Sequence, residues 1–244
     1  YSPLDALTLA QQNPDREIVF VGVGFETTTP LVAMAIKRAA AAGLKNFSVF
    51  GAHKNMPGAL EAIINDPQLK VDALILPGHV STIIGAEPYR FLAEKYGIPG
   101  VITGFEPVDV LQGIAMIMRQ LHEGRADIEI AYARGVMPEG NPVALAAIDE
   151  VFETCTALWR GLGEIPGSGY RIREEFAQFD AVRRFQPDVE PTQDPKGCRC
   201  GDVLRGIMAP NECPLFRKVC TPENPVGPCM VSSEGSCAAY HRYY

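Results

Sequence analysis

"EIVFVGVGFETTTP", residues 17–30, decides the fold. Its first part, "EIVFVGVGF", is an almost unbroken apolar run, as a strand buried on both faces of a parallel sheet requires. "TTTP" then turns the chain, and "LVAMAIKRAAAAG" follows as an Ala-rich helical segment closed by Gly43. Thr29 is placed to act as the N-cap of that helix, with Pro30 at its first position. Strand, tight turn and helix make the opening of a βαβ unit.

The alternation continues. "NFSVFGA", "VDALILPG" and "PGVITGFEP" read as further strands, and "PGALEAIIND", "AEPYRFLAEKYG" and "VDVLQGIAMIMRQLHEG" as helices. Strands alternating with helices of this length imply a parallel sheet, so the fold class is α/β with βαβ layers. Residues 1–125 are expected to form an α/β parallel-sheet domain. Residues 126–190 form a mixed strand and helix region that completes this body, and 191–244 a cysteine-rich region. In the middle region "IEIAYARGVMPEGNP" reads as a strand and turn, and "VALAAIDEVFETCTALW" as one amphipathic helix with Cys155 buried inside it. "RGLGEIPGSG" reads as loop and "FQPDVEPTQDPKG" as a Pro-rich linker.

Composition excludes several classes. A chain of 244 residues buries a sizeable core without disulfide staples. A net charge of −7 and no basic run argue against nucleic-acid or anionic-membrane binding. The longest apolar stretches are strand-sized, so no transmembrane helix is expected. The sequence begins at Tyr1 rather than Met and shows no secretory leader. The expected compartment is the reducing cytoplasm, where structural disulfides are rare.

Six of the seven cysteines lie in the last 47 residues, spaced C-x-C-x12-C-x6-C-x8-C-x7-C from Cys198 to Cys237. Zinc sites favour paired hooks of the C-x2-C to C-x4-C kind, and none occurs here. Six thiols exceed the four that one [4Fe–4S] cube takes. The surplus suggests four ligands beside a redox-active pair, with zinc as the competing reading. Pro and Gly around the thiols ("ECPLF", "CTPENP", "VGPCM") fit turns that aim backbone N–H groups at sulfur.

"GFETTTP", "PGHVSTIIG", "GFEPVDVLQG", "RGVMPEGNPVA", "WRGLGEIPGSG" and "CTPENPVGPCMVSSEGSCAAY" occur in this order. Together they resemble the HypD family of hydrogenase maturation proteins over nearly the whole chain. The resemblance implies a factor that helps assemble the Fe(CN)2CO group of [NiFe]-hydrogenases together with HypC and HypE. It implies a tail similar to ferredoxin:thioredoxin reductase, in which a [4Fe–4S] cluster lies beside a redox-active disulfide. By position, Cys198, Cys213, Cys220 and Cys237 would bind the cluster, and Cys200 and Cys229 would form the disulfide. Two motifs of the family, Cys-Gly-Gly-His and Gly-Pro-Gly-Cys-Pro-x-Cys, are absent from this sequence. The iron of the Fe(CN)2CO group is therefore expected to be held mainly by residues outside it. A general cluster-dependent thiol–disulfide reductase is the alternative reading.

Other residues are weaker candidates. "GVGFETTTP" lacks the Lys of a phosphate loop, so a tight turn with capping threonines is the plain reading. The resemblance places this loop at the iron-site cleft, with Thr28 and Thr29 as donors to a small anion such as cyanide. His79 ends a buried strand and His53 is similarly placed; each reads as a structural histidine or a cleft residue. Glu26 and Glu106 sit in matching "GFE" loops. Glu234, three residues before Cys237, is a candidate proton relay or a solvated turn residue.

Overall fold

The computed structural model describes residues 2–188 and 195–244. The chain divides into two compact units. The first comprises Tyr1–Ala59, Ala73–Ala157 and Pro166–Asp188, and the second Leu60–Asp72, Leu158–Ile165 and Val189–Tyr244. Part of the Pro-rich linker, residues 189–194, lies outside the described residues.

The chain opens with α1 (Pro3–Gln12), where Ser2 and Asp5 form a reciprocal capping box. Asn46 then donates to the carbonyls of Ala10, Asn13 and Arg16, each at 2.9 Å, which ties off the end of this helix. β1 (Ile18–Gly24), α2 (Thr29–Ala41) and β2 (Phe47–His53) complete a βαβ unit, with β1 and β2 parallel and Gly22 opposite Gly51. α3 (Met56–Ile64) follows. β3 (Leu74–Pro77), α4 (Gly78–Ile84), α5 (Arg90–Glu94), β4 (Gly100–Thr103), α6 (Pro107–Glu123) and β5 (Ile128–Ile130) build a second parallel sheet in the order β3-β4-β5. Central β4 is buried along its whole length. A Cβ at Gly78 would fall 2.1 Å from the Thr103 carbonyl oxygen, so only glycine lets α4 start this close to β4. The α/β parallel-sheet expectation holds.

Beyond the sheets come α7 (Pro142–Val151), β6 (Phe152–Trp159), β7 (Gly163–Ile172) and α8 (Ala181–Phe185). The core of the first unit packs Val32, Ala33, Ile36 and Ala39 of α2 against Ala147, Ile148 and Val151 of α7, with Phe47, Phe152 and Phe179 around them. Alanines on the facing helices let their backbones approach closely.

Three local readings need correction. The single helix expected over "VALAAIDEVFETCTALW" stops at Val151, and Cys155 lies in strand β6. β-Branched Thr154 and Thr156 with aromatic Phe152 favour the pleated state once α7 has ended. "RGLGEIPGSG" is largely strand β7, because three residues after Trp159 suffice to fold it back on β6. β1 is also not buried on both faces: Val19, Val21 and Val23 are 42%, 61% and 66% exposed. α6 behaves likewise. It buries Asp109, Gly113, Ile117 and Gln120 while exposing Val108, Leu111, Ile114, Met118 and Leu121. Asp109 is turned inward by a two-pronged pair with Arg134 at 2.7 and 2.6 Å, and Gln120 by accepting the Asp127 N–H at 2.8 Å.

His53, 2% exposed, lies over Gly22 and 6.0 Å from the Phe152 ring centroid, with both ring nitrogens unpartnered. Burial lowers its pKa from 6.5 to about 4. The neutral ring favours the folded state, so this stability is present above pH 6.5 and is lost as pH falls toward 4. The loss amounts to about 3 kcal/mol. Thermal unfolding followed across this range should show the decline in the native chain and a flatter profile in His53→Leu; parallel profiles would mean that His53 is already protonated in the fold.

Candidate functional site

The second unit contains α9 (Cys200–Leu204), α10 (Pro228–Val231) and α11 (Ser236–Tyr243). These short helices fix three of the thiols. Cys200 opens α9, Cys229 lies in α10, and Cys237 sits in the first turn of α11. Cys213 ends a short 3-10 turn at Pro210–Glu212, and Cys220 pairs through its backbone with Phe216. Arg205 ties this region down. It donates to Asp66 at 2.5 Å, Asp202 at 2.7 Å and the Gly201 carbonyl at 3.0 Å, while its own carbonyl accepts the Lys70 N–H at 3.2 Å. The Arg205 guanidinium holds the Asp66 carboxyl below its usual range.

Five cysteines, 198, 200, 213, 220 and 237, line one narrow pocket, walled by Leu215, Phe216 and Met230. Gly227 also faces it. A Cβ there would stand 2.4 Å from the Cys198 Sγ and 2.8 Å from the Cys200 Sγ, so glycine leaves both sulfurs their room. Cys229 is not among the lining residues. Its backbone N–H points at the Cys200 Sγ at 3.4 Å, and the Val226 N–H points at the Cys220 Sγ at 3.4 Å. All seven cysteines are free thiols.

The donor set suits a soft metal centre. Among the described residues no group of three or more His, Cys, Asp or Glu side chains is arranged around one ion. The thiols ring a narrow pocket instead. Cys200, Cys229 and Cys237 hydrogen-bond to one another, and each is pushed up to about 12. For Cys229 the bond to Cys200 is the main cause. For Cys200, donation from Cys229 pulls downward and is outweighed by its bond to Cys237 together with burial. Metal binding must displace these protons.

Thr28, in the turn before α2, and Thr29, the first residue of α2, belong to the first unit. The N-cap is Thr28 rather than Thr29, and it makes no side-chain cap bond. Both hydroxyls donate to the Phe25 carbonyl, at 3.2 and 2.9 Å, and Thr29 is fully buried. The hydroxyl protons are thus directed into the turn. The matching glutamates differ: Glu26 is 1% exposed and accepts the Met56 N–H at 2.9 Å, while Glu106 is exposed and lies 3.6 Å from Arg134. Burial raises the Glu26 carboxyl above its usual range. His79 starts α4 and is exposed, its ring 4.6 Å from that of Phe105, so the buried strand-end placement is corrected. Glu234 is exposed, next to Gly235, where a Cβ would come 2.3 Å from the Cys229 carbonyl oxygen. Gly227 and the Arg205 clamp escaped the sequence reading, because close approach and long-range pairing leave no local pattern.

The family model described as "HypD: Hydrogenase formation hypA family" matches residues 1–244. The chain belongs to the HypD family. It is 52% identical over 248 residues to the hydrogenase maturation factor HypD of Rhodobacter capsulatus. It is 48% identical over 250 residues to that of Cupriavidus necator, and 49% identical over 249 residues to that of Azotobacter vinelandii. Each comparison covers 100% of this chain and 66% of the HypD relative. The chain therefore spans just under two thirds of the length of these HypD proteins.

Gly227→Ala tests the pocket directly. The added methyl should turn the Cys198 and Cys200 sulfurs outward, raising the number of quickly labelled thiols while circular dichroism stays unchanged. An unchanged labelling rate would show that the sulfurs do not pack on Gly227.

Proposed function

We propose that this chain is the cluster-bearing, redox-active part of a [NiFe]-hydrogenase maturation factor. In this reading Cys198, Cys213, Cys220 and Cys237 hold a [4Fe–4S] cluster, and Cys200 with Cys229 forms an exchangeable thiol–disulfide pair, as in ferredoxin:thioredoxin reductase. The observation that carries it is the pocket ringed by five thiols, with Cys229 set outside and its N–H aimed at Cys200. Relatives at 48–52% identity that are named hydrogenase maturation factors favour this reading over a general thiol–disulfide reductase.

Each residue has a definable part. The four ligand cysteines bind as thiolates, and Leu215, Phe216 and Met230 keep water from them. When bound, the cluster supplies one-electron redox capacity. Cys200 and Cys229 lose two electrons and two protons together on forming their S–S bond, and regain them on reduction. The Cys229 N–H stabilises negative charge on the Cys200 sulfur during that exchange. The maturation role is assistance in building the Fe(CN)2CO group with HypC and HypE in the cytoplasm. The iron of that group is cargo, held mainly by parts of the full-length protein beyond this sequence, while Thr28 and Thr29 shape the anion side of its cleft. Among the described residues no helix is long and apolar enough to cross a membrane.

Serine variants separate the two thiol classes. Anaerobically reconstituted chain should hold about four irons, the stoichiometry of one cube. Cys200→Ser and Cys229→Ser should keep that iron and lose two oxidisable thiols, whereas serine at 198, 213, 220 or 237 should lose most of it. Iron loss on changing Cys200 or Cys229, or stoichiometric zinc in the purified chain, would overturn the assignment.

A further inference from the structure

Besides the scattered Lys70, Arg160 and Lys196, the cationic side chains of the second unit fall into two kinds. Arg199 and Arg205 are neutralised by Asp202 and Asp66. Arg217, Lys218 and Arg242 are exposed and, among the described residues, have no carboxylate partner. They are also gathered. Arg217 donates to the His241 carbonyl at 2.9 Å, and the Phe216 ring lies 5.9 Å from those of both Tyr240 and His241. The loop bearing Arg217 and Lys218 is therefore fastened to the last turn of α11, beside Arg242. Val219, 52% exposed, gives the patch an apolar centre. Glu223, whose carboxyl is held below its usual range chiefly by hydrogen bonds to its own backbone and from the Thr221 side chain, is the acidic group at its edge.

The loop has a held shape. The N–H groups of Lys218, Val219 and Cys220 all point at the Leu215 carbonyl, and the Arg217 N–H donates to the Cys220 carbonyl at 3.2 Å. Arg217 keeps a left-handed φ of 57°, uncommon for a residue with a Cβ and a conformation that persists where the surroundings enforce it. The loop is bracketed by Cys213 and Cys220, and Cys237 lies one turn before His241 on α11. Positive charge in the last turn of α11 complements the helix dipole, which accounts for Arg242 but not for Arg217 and Lys218. The whole chain carries −7, yet residues 195–244 hold six Lys and Arg against four Asp and Glu. The local positive charge of this loop can steer an acidic partner to it.

We propose that Arg217, Lys218 and Arg242 form the docking patch for an acidic one-electron carrier protein that reduces the Cys200–Cys229 disulfide. The proposal rests on the redox reading above. Two carriers give up one electron each in turn; with two protons from solvent the S–S bond breaks, two thiols form, and both carriers leave oxidised.

Calorimetric titration of the iron-reconstituted chain with an acidic [2Fe–2S] ferredoxin tests the patch without an activity assay. Binding should weaken with salt. It should weaken roughly tenfold or more in the double variant Arg217→Glu with Lys218→Glu, about 1.4 kcal/mol. Lys218→Glu with Arg242→Glu should do the same while leaving the Arg217 backbone untouched, and Arg16→Glu in the first unit should change nothing. Unchanged affinity in both double variants, or equal weakening in Arg16→Glu, would overturn the proposal. Iron is measured on the same samples. Charge-independent binding with iron retained sinks the docking patch alone, whereas patch-dependent binding by a chain that takes up no iron upholds the patch and sinks the cluster reading.

Discussion

One buried cluster of the second unit joins Cys200, Phe216, Cys220, Cys229, Met230, Cys237 and Ala238. Cysteine supplies four of these seven side chains, so this small core is short of hydrocarbon. A unit of this size gains too little from apolar burial to stand easily by itself, and small folds of this kind are usually stapled by disulfides or metal. A thiol buried among thiols is a weak staple. In the proposed reading Cys198, Cys213, Cys220 and Cys237, deprotonated and bound to one cluster, would cross-link the chain just before α9, the loops around Cys213 and Cys220, and α11. Other features of the unit are in keeping with that reading. Gly227 makes room for two sulfurs, Arg205 pins the start of the region, and backbone N–H groups aim at the Cys200 and Cys220 sulfurs.

Much of the α/β body was legible because strand runs and helical periods are local patterns. β1, β2, β3, β4, β5 and α6 lie where their apolar runs put them. The failures have physical causes. "FETCTALW" has enough apolar residues to extend a helix, and only its pairing with β7 makes it a strand. The valines of β1 read as doubly buried because a run of hydrophobic residues records what a face prefers, not what covers it. The helix α4 had no place in the run of expected helices, yet Gly78 allows it to begin directly at the end of β3.

The site was legible to a different depth. Cysteine crowding and spacing marked the unit, and the ordered motifs marked the family, which the match over residues 1–244 bears out. Which thiols share the pocket was not readable, since Cys200 and Cys229 differ only in where their short helices aim them. The loop threonines show the reverse case. Their position at the start of α2 was plain, but the Phe25 carbonyl that takes both hydroxyl protons lies within the turn itself and leaves no signature.

Hydrogen exchange of the chain with and without iron tests most directly whether a cluster holds the second unit together. Anaerobically reconstituted chain should show strong amide protection through residues 198–243, above all around Cys220 and in α11. Removing iron should abolish that protection while leaving β1, β2, β4 and α2 unchanged. Equal protection of the cysteine unit in the iron-free chain, or protection restored by zinc alone, would contradict the account.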